Sequence, residues 1–342
     1  MGKHIIYLGL GIILLATTGG LAQDTRTPPL FQDQSPLSIR LSISFRDLRR
    51  QTNDSTYIPS TLSFKVGEVW DTIPIDIRTR GNFRKKNCTY PPLRIKFKKN
   101  EVAGTLFEGT KSVKVVIPCH EGKSSMELIN KEYLCYQLYH PVTDFHLKTR
   151  LLDIMLIEEK GKQEKISHVN GFFIEDDDQL AERSNARVVD AERINPLQLE
   201  DTSALRFDLF QYMIANTDFS TTVVHNAEVL LTEKGRYIAV PYDFDMTGVV
   251  NAPYATVDPK WEIEKVTQRA YKGYCRNEKV AEYVRQEFIS REEAIYQIID
   301  RHTHLFYPKE TESLKKYVGE FFRILKSDYD YSEKITAKCR RK

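Results

Sequence analysis

The chain has 342 residues, of which 41% are hydrophobic and 28% are charged. This composition excludes an intrinsically disordered chain, a collagen-like chain and a simple coiled coil. The 50 basic and 47 acidic residues give a formal net charge of +3, which provides no reason to expect a nucleic-acid partner.

The N-terminal segment predicts export. A basic start is followed by the apolar run 5–15 and by small residues at 16–22, which is the order of a secretory signal peptide with cleavage before Gln23. The apolar run is too short to span a bilayer comfortably, and no later stretch reaches membrane-spanning length. We therefore predict a signal peptide at 1–22, a linker at 23–36 and a mature chain exported to the periplasm or the extracellular space, with no transmembrane segment.

Five cysteines occur in the chain: Cys88, Cys119, Cys135, Cys275 and Cys339. An odd number leaves at least one thiol unpaired, and the sequence does not determine how the others pair. Cys135 lies in an apolar helical stretch, so we predict that it is a small buried hydrophobic residue.

Residues 37–178 have the pattern of a sheet-rich lobe. Alternating apolar residues predict a strand at 37–45, and short segments rich in β-branched and aromatic residues predict six more. The six lie at 61–66, 72–79, 93–98, 112–117, 151–158 and 169–175. One helix is predicted among the strands, at 126–139.

Residues 179–342 have the pattern of a helix-rich lobe. Helices are predicted at 205–215, 280–303 and 310–326, and a hairpin is predicted from strands at 226–232 and 236–240. The basic C-terminal end, 338–342, is predicted to be frayed and solvated. The sequence therefore predicts an α+β fold of two lobes.

Four polar side chains recur around the predicted hairpin. Asp218 and Asn226 flank its start, and Asp243 and Asp245 follow its second strand. Carboxylate and amide oxygens are the ligands that Mg²⁺ prefers, and Mg²⁺ in turn bridges nucleotide phosphates. The order Asp, Asn, two strands, Asp is that of phosphoryl-transfer enzymes. Turn capping is the competing role for such residues.

Four segments also carry a family resemblance: 80–82 after a strand, Lys114 before a helix, 216–226, and 241–245. With these segments in this order, the chain resembles the spore-coat CotH kinase family, which is distantly similar to HipA-type kinases. More specifically, it resembles a secreted Bacteroidetes-type branch of that family, whose similar stretches include residues 251–255. The similarity extends from about residue 37 to residue 276.

The resemblance implies a two-lobed atypical kinase that uses Mg²⁺ or Mn²⁺ and ATP or another phosphoryl donor. It implies that Asp218 is the catalytic aspartate and that Asn226 and Asp243 are metal ligands. Asp245 would be a second metal ligand or a structural partner of the loop. His225 is a further candidate for a general base.

The resemblance also implies residues that hold the phosphoryl donor. Arg80 and Asn82 would belong to a loop over the phosphates, helped by Arg84, Lys85 and Lys86. Lys114 would hold the phosphates and pair with Glu132, with Lys96 as the alternative lysine and Glu127 as the alternative carboxylate. Glu175 would lie where the connector between the lobes meets a nucleobase.

Two hypotheses follow. The first is an exported kinase that phosphorylates a hydroxyl of a protein or a glycan. The second is a kinase-shaped binding or structural module of the envelope without turnover. Asp218 and Asn226 are eight positions apart, farther than in the usual kinase catalytic loop, so segment 219–225 must bulge out for both to face one metal. This insertion, and the scarcity of nucleoside triphosphate outside the cytoplasm, favour the second hypothesis.

Overall fold

The structure is a computed structural model that describes residues 26–81, 83–160 and 163–341. The predicted signal peptide at 1–22 and the predicted donor-binding residue Asn82 lie outside these residues. Within them the chain is mixed α+β, with a seven-stranded closed sheet followed by a mainly helical region. The α+β class predicted from the sequence is therefore confirmed.

Ten strands are described in chain order. They are β1 (Leu37–Ser42), β2 (Ile58–Val66), β3 (Val69–Thr79), β4 (Leu93–Lys96), β5 (Ser112–Val116), β6 (Thr149–Lys160), β7 (Gln163–Glu175), β8 (Ala186–Val188), β9 (Ala227–Thr232) and β10 (Tyr237–Pro241).

Eleven α-helices are described with them. They are α1 (Pro29–Gln32), α2 (Phe45–Gln51), α3 (Phe83–Asn87), α4 (Lys99–Val102), α5 (Lys123–Tyr139), α6 (Asp177–Arg183), α7 (Asp201–Met213), α8 (Glu278–Ser290), α9 (Glu292–Arg301), α10 (Pro308–Lys326) and α11 (Asp328–Lys334).

The first seven strands close into one barrel-like sheet in the order β1-β2-β3-β4-β5-β7-β6. A parallel pair between β1 and β6 completes the closure, and the other neighbours are antiparallel. Alternate residues such as Ile39, Phe64 and Ile77 belong to one cluster of buried apolar side chains, because successive side chains of a strand face opposite sides.

The strand predicted at 37–45 ends earlier than its apolar alternation suggested. Ser44 is the N-cap of helix α2, and its hydroxyl accepts a hydrogen bond from the backbone N–H of Asp47 at 3.2 Å. Such an N-cap satisfies a donor that the first helical turn leaves unpaired. Phe45 therefore belongs to a helix, although it continues the period-two pattern of the strand.

A chain of aromatic contacts joins the sheet to the helical region. The ring of Tyr136 on α5 lies 5.6 Å from that of Phe172 on β7 and 4.6 Å from that of Phe244, and Phe244 lies 5.7 Å from Phe210 on α7. All four side chains are buried in one apolar cluster that extends into the C-terminal helices. The contacts place the segment after β10 against α5 and the sheet.

The helix predicted at 280–303 is two helices, α8 and α9, which are broken at Arg291. Strands β8, β9 and β10 form a small separate sheet in the order β10-β9-β8. Its β9–β10 hairpin is the one predicted from the sequence. In the described part of the chain, none of the helices combines the length and apolarity that a membrane crossing requires.

Two disulfides are present. Cys88 bonds Cys119, and Cys275 bonds Cys339, while Cys135 is a buried free thiol as predicted.

The second disulfide corrects the prediction of a frayed C-terminal end for the described residues 338–341. Besides the bond itself, Arg340 donates its backbone N–H to Gly273 at 2.9 Å and accepts from Cys275 at 2.9 Å. The basic end is therefore held against segment 273–275.

Candidate functional site

The loop after α7 brings Asp218 and Asn226 into direct contact. Nδ2 of Asn226 donates to the backbone oxygen of Asp218 at 2.7 Å and to its Oδ2 at 3.0 Å. The Asp218 backbone N–H donates to Oδ1 of Asn216 at 2.9 Å. Ser220 and His225 exchange two backbone hydrogen bonds of 2.9 Å, so the intervening residues form the tip of a bulge. The eight-residue separation therefore still lets the two side chains meet.

The end of β10 places Asp243 beside this contact. The backbone N–H of Tyr242 donates to the carbonyl oxygen of Asn226 at 3.3 Å. Asp243 follows in a left-handed backbone conformation with φ of 61°, which Asp tolerates better than most residues. Its backbone N–H donates to the hydroxyl of Tyr136 at 3.0 Å, which ties it to α5.

Asp245 is buried next to these residues. Its Oδ2 accepts a hydrogen bond from the hydroxyl of Tyr254 at 3.1 Å. Burial raises the pKa of Asp245 to about 7, and the charges of Asp243 and Asp218 raise it as well, while Arg84 acts in the opposite direction. The carboxylates predicted to form the site therefore act on one another electrostatically.

A buried ion pair faces these carboxylates from the sheet-rich region. Nη1 of Arg84 on α3 lies 3.7 Å from Oε2 of Glu132 on α5, and Nη2 of Arg84 donates to the carbonyl oxygen of Ile117. Oε2 of Glu132 is buried without a hydrogen-bond partner. Burial raises the pKa of Glu132 to about 8, Arg84 lowers it, and Asp245 and Asp243 raise it. Arg84 and Glu132 thus lie within electrostatic reach of the candidate metal ligands.

The predicted pair between Lys114 and Glu132 is wrong. Nζ of Lys114 donates to Oδ1 of Asp177 on α6 at 2.7 Å and lies 4.8 Å from the ring centre of Tyr242. All five residues of β5 are buried, so alternation along the strand could not show which face Lys114 occupies. The residue that pairs with Glu132 is Arg84.

The alternative residues do not form that pair either. Lys96 is exposed, with its ammonium 4.4 Å from the ring centre of Tyr57. Glu127 lies 3.6 Å from Lys131, one turn along α5.

Glu175 has a structural partner in the connector. Its carboxylate is fully buried and accepts from Nε of Arg183 at 2.9 Å and from the backbone N–H of Lys148 at 3.0 Å. Both carboxylate oxygens are therefore engaged at the position where the resemblance implied a nucleobase.

Arg80 lies at the end of β3 and is half-buried. Its backbone N–H donates to the carbonyl oxygen of Pro92 at 2.9 Å, and its Nε is buried without a hydrogen-bond partner. Its charge lowers the pKa of Glu132 to a small extent. Arg80 therefore contributes positive charge on the same side as Arg84.

Several residues around the candidate site could not be identified from the sequence. Arg84 was one of four loop cations, and nothing local distinguished it from Lys85 or Lys86. Tyr136 and Tyr254, which anchor Asp243 and Asp245, looked like ordinary aromatic residues. The segment 251–255 that contains Tyr254 belonged to the family resemblance and was the one available signal for it.

The donor set fits Mg²⁺ only in part. Among residues 26–81, 83–160 and 163–341, no group of three or more His, Cys, Asp or Glu side chains is arranged to hold a metal ion. Asn226 uses Nδ2 on Asp218, so its Oδ1 is the atom that could face a metal. Mg²⁺ commonly takes one or two carboxylates and completes its shell with water and phosphate oxygens. The residues fit such a shared ion rather than one enclosed by protein.

His225 is the remaining candidate base. Its Nε2 lies 3.4 Å from Oδ1 of Asp218, and its side chain is more than half exposed. Asp218 is itself 40% exposed. Both groups are therefore open to an acceptor from the solvent side.

Comparisons with known proteins add no assignment to this geometry. No family model matches the sequence, and no curated protein matches it.

Proposed function

We propose that the chain is an exported, Mg²⁺- or Mn²⁺-dependent atypical kinase of the CotH-like kind that transfers a phosphoryl group to a hydroxyl of a protein or a glycan. The observation that carries the proposal is the contact of Asp218 with Asn226, next to Asp243 and Asp245. Phosphoryl transfer depends mainly on positioning and on stabilising charge, and these residues provide ligands and charge in one place.

Each residue has a separate role in this proposal. The half-exposed carboxylate of Asp218 orients the acceptor hydroxyl and accepts its proton. Oδ1 of Asn226 and the carboxylate of Asp243 hold the metal, which would supply charge neutralisation at the phosphates. Asp245 is a second ligand or supports the loop through Tyr254.

Arg84 takes the role that the resemblance gave to Lys114. A guanidinium has five N–H donors, and Nε of Arg84 is buried without a partner although Nη2 donates to Ile117, so donors remain for phosphate oxygens. Glu132 beside it would hold its orientation. Lys114 is instead committed to Asp177. Under this proposal the closed sheet and α5 form the donor-binding lobe, and the region from α6 onward forms the acceptor lobe of a two-lobed kinase fold.

Export has independent support in the two disulfides, which persist in oxidising compartments and are rare in the cytosol. The same compartments contain little nucleoside triphosphate. The proposal therefore includes both ATP and another phosphoryl donor for this site.

A binding module without turnover is the second candidate, and one observation favours it. The pKa values of Glu132 and Asp245 are raised to about 8 and about 7. Burial therefore favours the protonated forms of these two acids, which lowers the repulsion among the carboxylates without a cation.

Two variants that remove charge at nearly constant volume test the proposal. Asp243→Asn should weaken Mg²⁺-dependent ATP binding because the metal loses an anionic ligand. Asp218→Asn should leave binding intact and reduce phosphoryl transfer by about 10² to 10⁴-fold, as expected for loss of a general base. The measurements are calorimetric titration with ATP and Mg²⁺ and transfer to a protein or glycan acceptor.

Asp153→Asn is the matched control, because Asp153 is an exposed aspartate on β6 of the sheet. It should behave as the wild type in both assays. If the wild-type protein binds no nucleotide with either Mg²⁺ or Mn²⁺, the kinase proposal fails and the binding module replaces it.

A further inference from the structure

A buried lysine lies directly against the Asp218 loop and has no role in the chemistry proposed above. Lys272 lies in the irregular segment between the short 3₁₀ helix Pro259–Trp261 and α8, and its side chain is buried. Its Nζ donates to the backbone oxygen of Thr217 at 2.7 Å and to that of Phe219 at 2.6 Å. These oxygens belong to the residues immediately before and after Asp218.

Three successive carbonyl groups of the loop therefore accept hydrogen bonds from side chains. Nζ of Lys272 donates to the backbone oxygens of residues 217 and 219, and Nδ2 of Asn226 donates to that of residue 218. In the described parts of the chain, no backbone N–H donates to these three oxygens. The position of the loop is thus fixed by two side chains rather than by a regular ladder.

The ammonium group lies between two aromatic rings. It is 4.4 Å from the ring centre of Phe219 and 4.7 Å from that of Trp261, distances at which a cation is attracted to the ring faces. With two of its three donors used on carbonyl oxygens, the group is held in one place.

The charged groups that act on Lys272 are Lys260 and Asp258 at the 3₁₀ helix, Arg340 at the C-terminal end and Asp218 in the loop, and Asp208 on α7 also lies within electrostatic reach. The pKa of Lys272 is lowered to about 8, mainly by burial and also by the charges of Lys260 and Arg340. Asp218 and Asp258 act in the opposite direction.

We propose that Lys272 is a positioning residue that holds the Asp218 loop in the conformation in which the Asp218 carboxylate meets Asn226 and an acceptor. Its effect on turnover rests on the proposed kinase function, whereas its effect on the loop does not. Without Lys272, the carbonyl groups of Thr217 and Phe219 lose their donors and the loop relaxes. A displacement of about 1 Å at a reacting group can cost roughly 10²-fold in rate.

Hydrogen–deuterium exchange of the full chain tests the effect on the loop. In the wild type the backbone N–H groups of Asp218, Ser220 and His225 are hydrogen-bonded. Lys272→Met should accelerate exchange in segment 216–226 by about 10-fold or more, and Lys272→Arg should restore part of the protection. Lys260→Met is the control because Lys260 also lies near the Trp261 ring, at 5.5 Å, but is hydrogen-bonded to Asp258 and not to the loop.

Phosphoryl transfer and nucleotide binding test the effect on turnover. Lys272→Met should lower the rate of transfer by about 10 to 10²-fold and leave the Kd of the Mg²⁺–ATP complex within about twofold, with partial rescue by Lys272→Arg. The wild-type rate should also decline above about pH 8, where Lys272 loses its charge, and Lys272→Arg should remove that decline.

The outcomes separate this inference from the kinase proposal. Unchanged exchange in segment 216–226 of Lys272→Met overturns the inference, and so does a full rate of transfer in an active protein whose loop is released. If the wild-type protein transfers no phosphoryl group, only the kinase proposal fails. The hydrogen–deuterium exchange of segment 216–226 still decides whether Lys272 positions the loop. If Lys272→Met does not fold by circular dichroism, Lys272→Gln, which keeps an N–H donor without the charge, carries the same comparison.

Discussion

Two buried cation–carboxylate pairs on the sheet-rich region differ in how completely their hydrogen bonds are satisfied. Lys114 and Asp177 meet at 2.7 Å in a direct hydrogen bond that links β5 to α6. Arg84 and Glu132 lie 3.7 Å apart, and both Oε2 of Glu132 and Nε of Arg84 are buried without a hydrogen-bond partner.

This difference indicates that Lys114–Asp177 is a structural pair and that Arg84–Glu132 is a candidate for binding a ligand. A buried ion pair with good geometry holds two elements together, and removing one partner is costly because the other charge stays buried. A buried polar atom that lacks a partner requires an explanation, and a ligand is one of the standard ones. On this criterion Arg84 and Glu132 are better candidates for the proposed donor site than Lys114 and Asp177.

Lys114→Met should cause the largest effect in this comparison, and the effect should be on stability. Loss of the ammonium leaves Asp177 largely buried and unpaired, which typically costs about 3 to 5 kcal/mol. Urea denaturation followed by circular dichroism measures the change. Lys65→Met is the control, because Lys65 pairs with the highly exposed Glu68 and its loss should change the stability little. Equal stability of the Lys114 and Lys65 variants would contradict the assignment of a structural pair.

Arg84→Met should impair the proposed chemistry more than the stability, because burial raises the pKa of Glu132 and lets this acid take up a proton when its partner is lost. Loss of a preorganised charged donor at the phosphates typically lowers the rate by about 10² to 10³-fold. Initial rates of transfer, compared with those of Lys114→Met under conditions where both proteins are folded, measure the effect. Lys99→Met is the control, because Lys99 is an exposed lysine on α4 with no role in the proposed site, and it should keep the wild-type rate. If Lys114→Met abolishes transfer and Arg84→Met does not, Lys114 rather than Arg84 is the residue that holds the phosphates.

The smallest expected effect is a change in the thermal stability of Glu132→Gln, relative to the wild type, with pH. The pKa of Glu132 is raised to about 8 in the folded protein, so the folded state retains a proton that the unfolded state has lost. The stability that this proton provides is present at low pH and is lost as the pH rises through about 8. Glu132→Gln should therefore gain in Tm relative to the wild type, by a few degrees, between about pH 5.5 and about pH 8.5 without metal. Differential scanning calorimetry measures this difference.

Glu127→Gln is the control for the pH experiment, because Glu127 lies on the same helix and is partly exposed. Its difference from the wild type should not change in the same direction with pH. A Glu132→Gln difference that is constant across the range would mean that Glu132 stays ionised in the folded protein.

The sequence predicted local structure where one face of an element is buried. Alternation located β3 through Ile73, Ile75 and Ile77, and turn residues located the β9–β10 hairpin. Closure of the sheet was not predictable, because it depends on pairing of residues 37–42 with residues 152–157, more than one hundred positions away. Local periodicity contains no information about such a pairing.

The neighbourhood of the candidate residues was predictable to a similar extent. The sequence indicated Asp218, Asn226 and Asp243 as candidate oxygen ligands because that chemistry uses few residue types at a short spacing, and the contact of Asn226 with Asp218 brings two of them together. The partner of Glu132 was not predictable, because Arg84 lies in a five-residue helix and reaches Glu132 only through the tertiary fold. Lys272 lies in an irregular segment, where no periodic pattern identifies a buried lysine.

The disulfide between Cys88 and Cys119 has a practical consequence for how the protein is produced. Cys88 directly follows α3, which carries Arg84, and Cys119 lies two positions after Ile117, whose carbonyl group Arg84 contacts. The covalent bond therefore fastens the helix of Arg84 to the end of β5. Protein made in a reducing cytoplasm would lack this fastening, so secretion or oxidative refolding should precede any comparison of the variants.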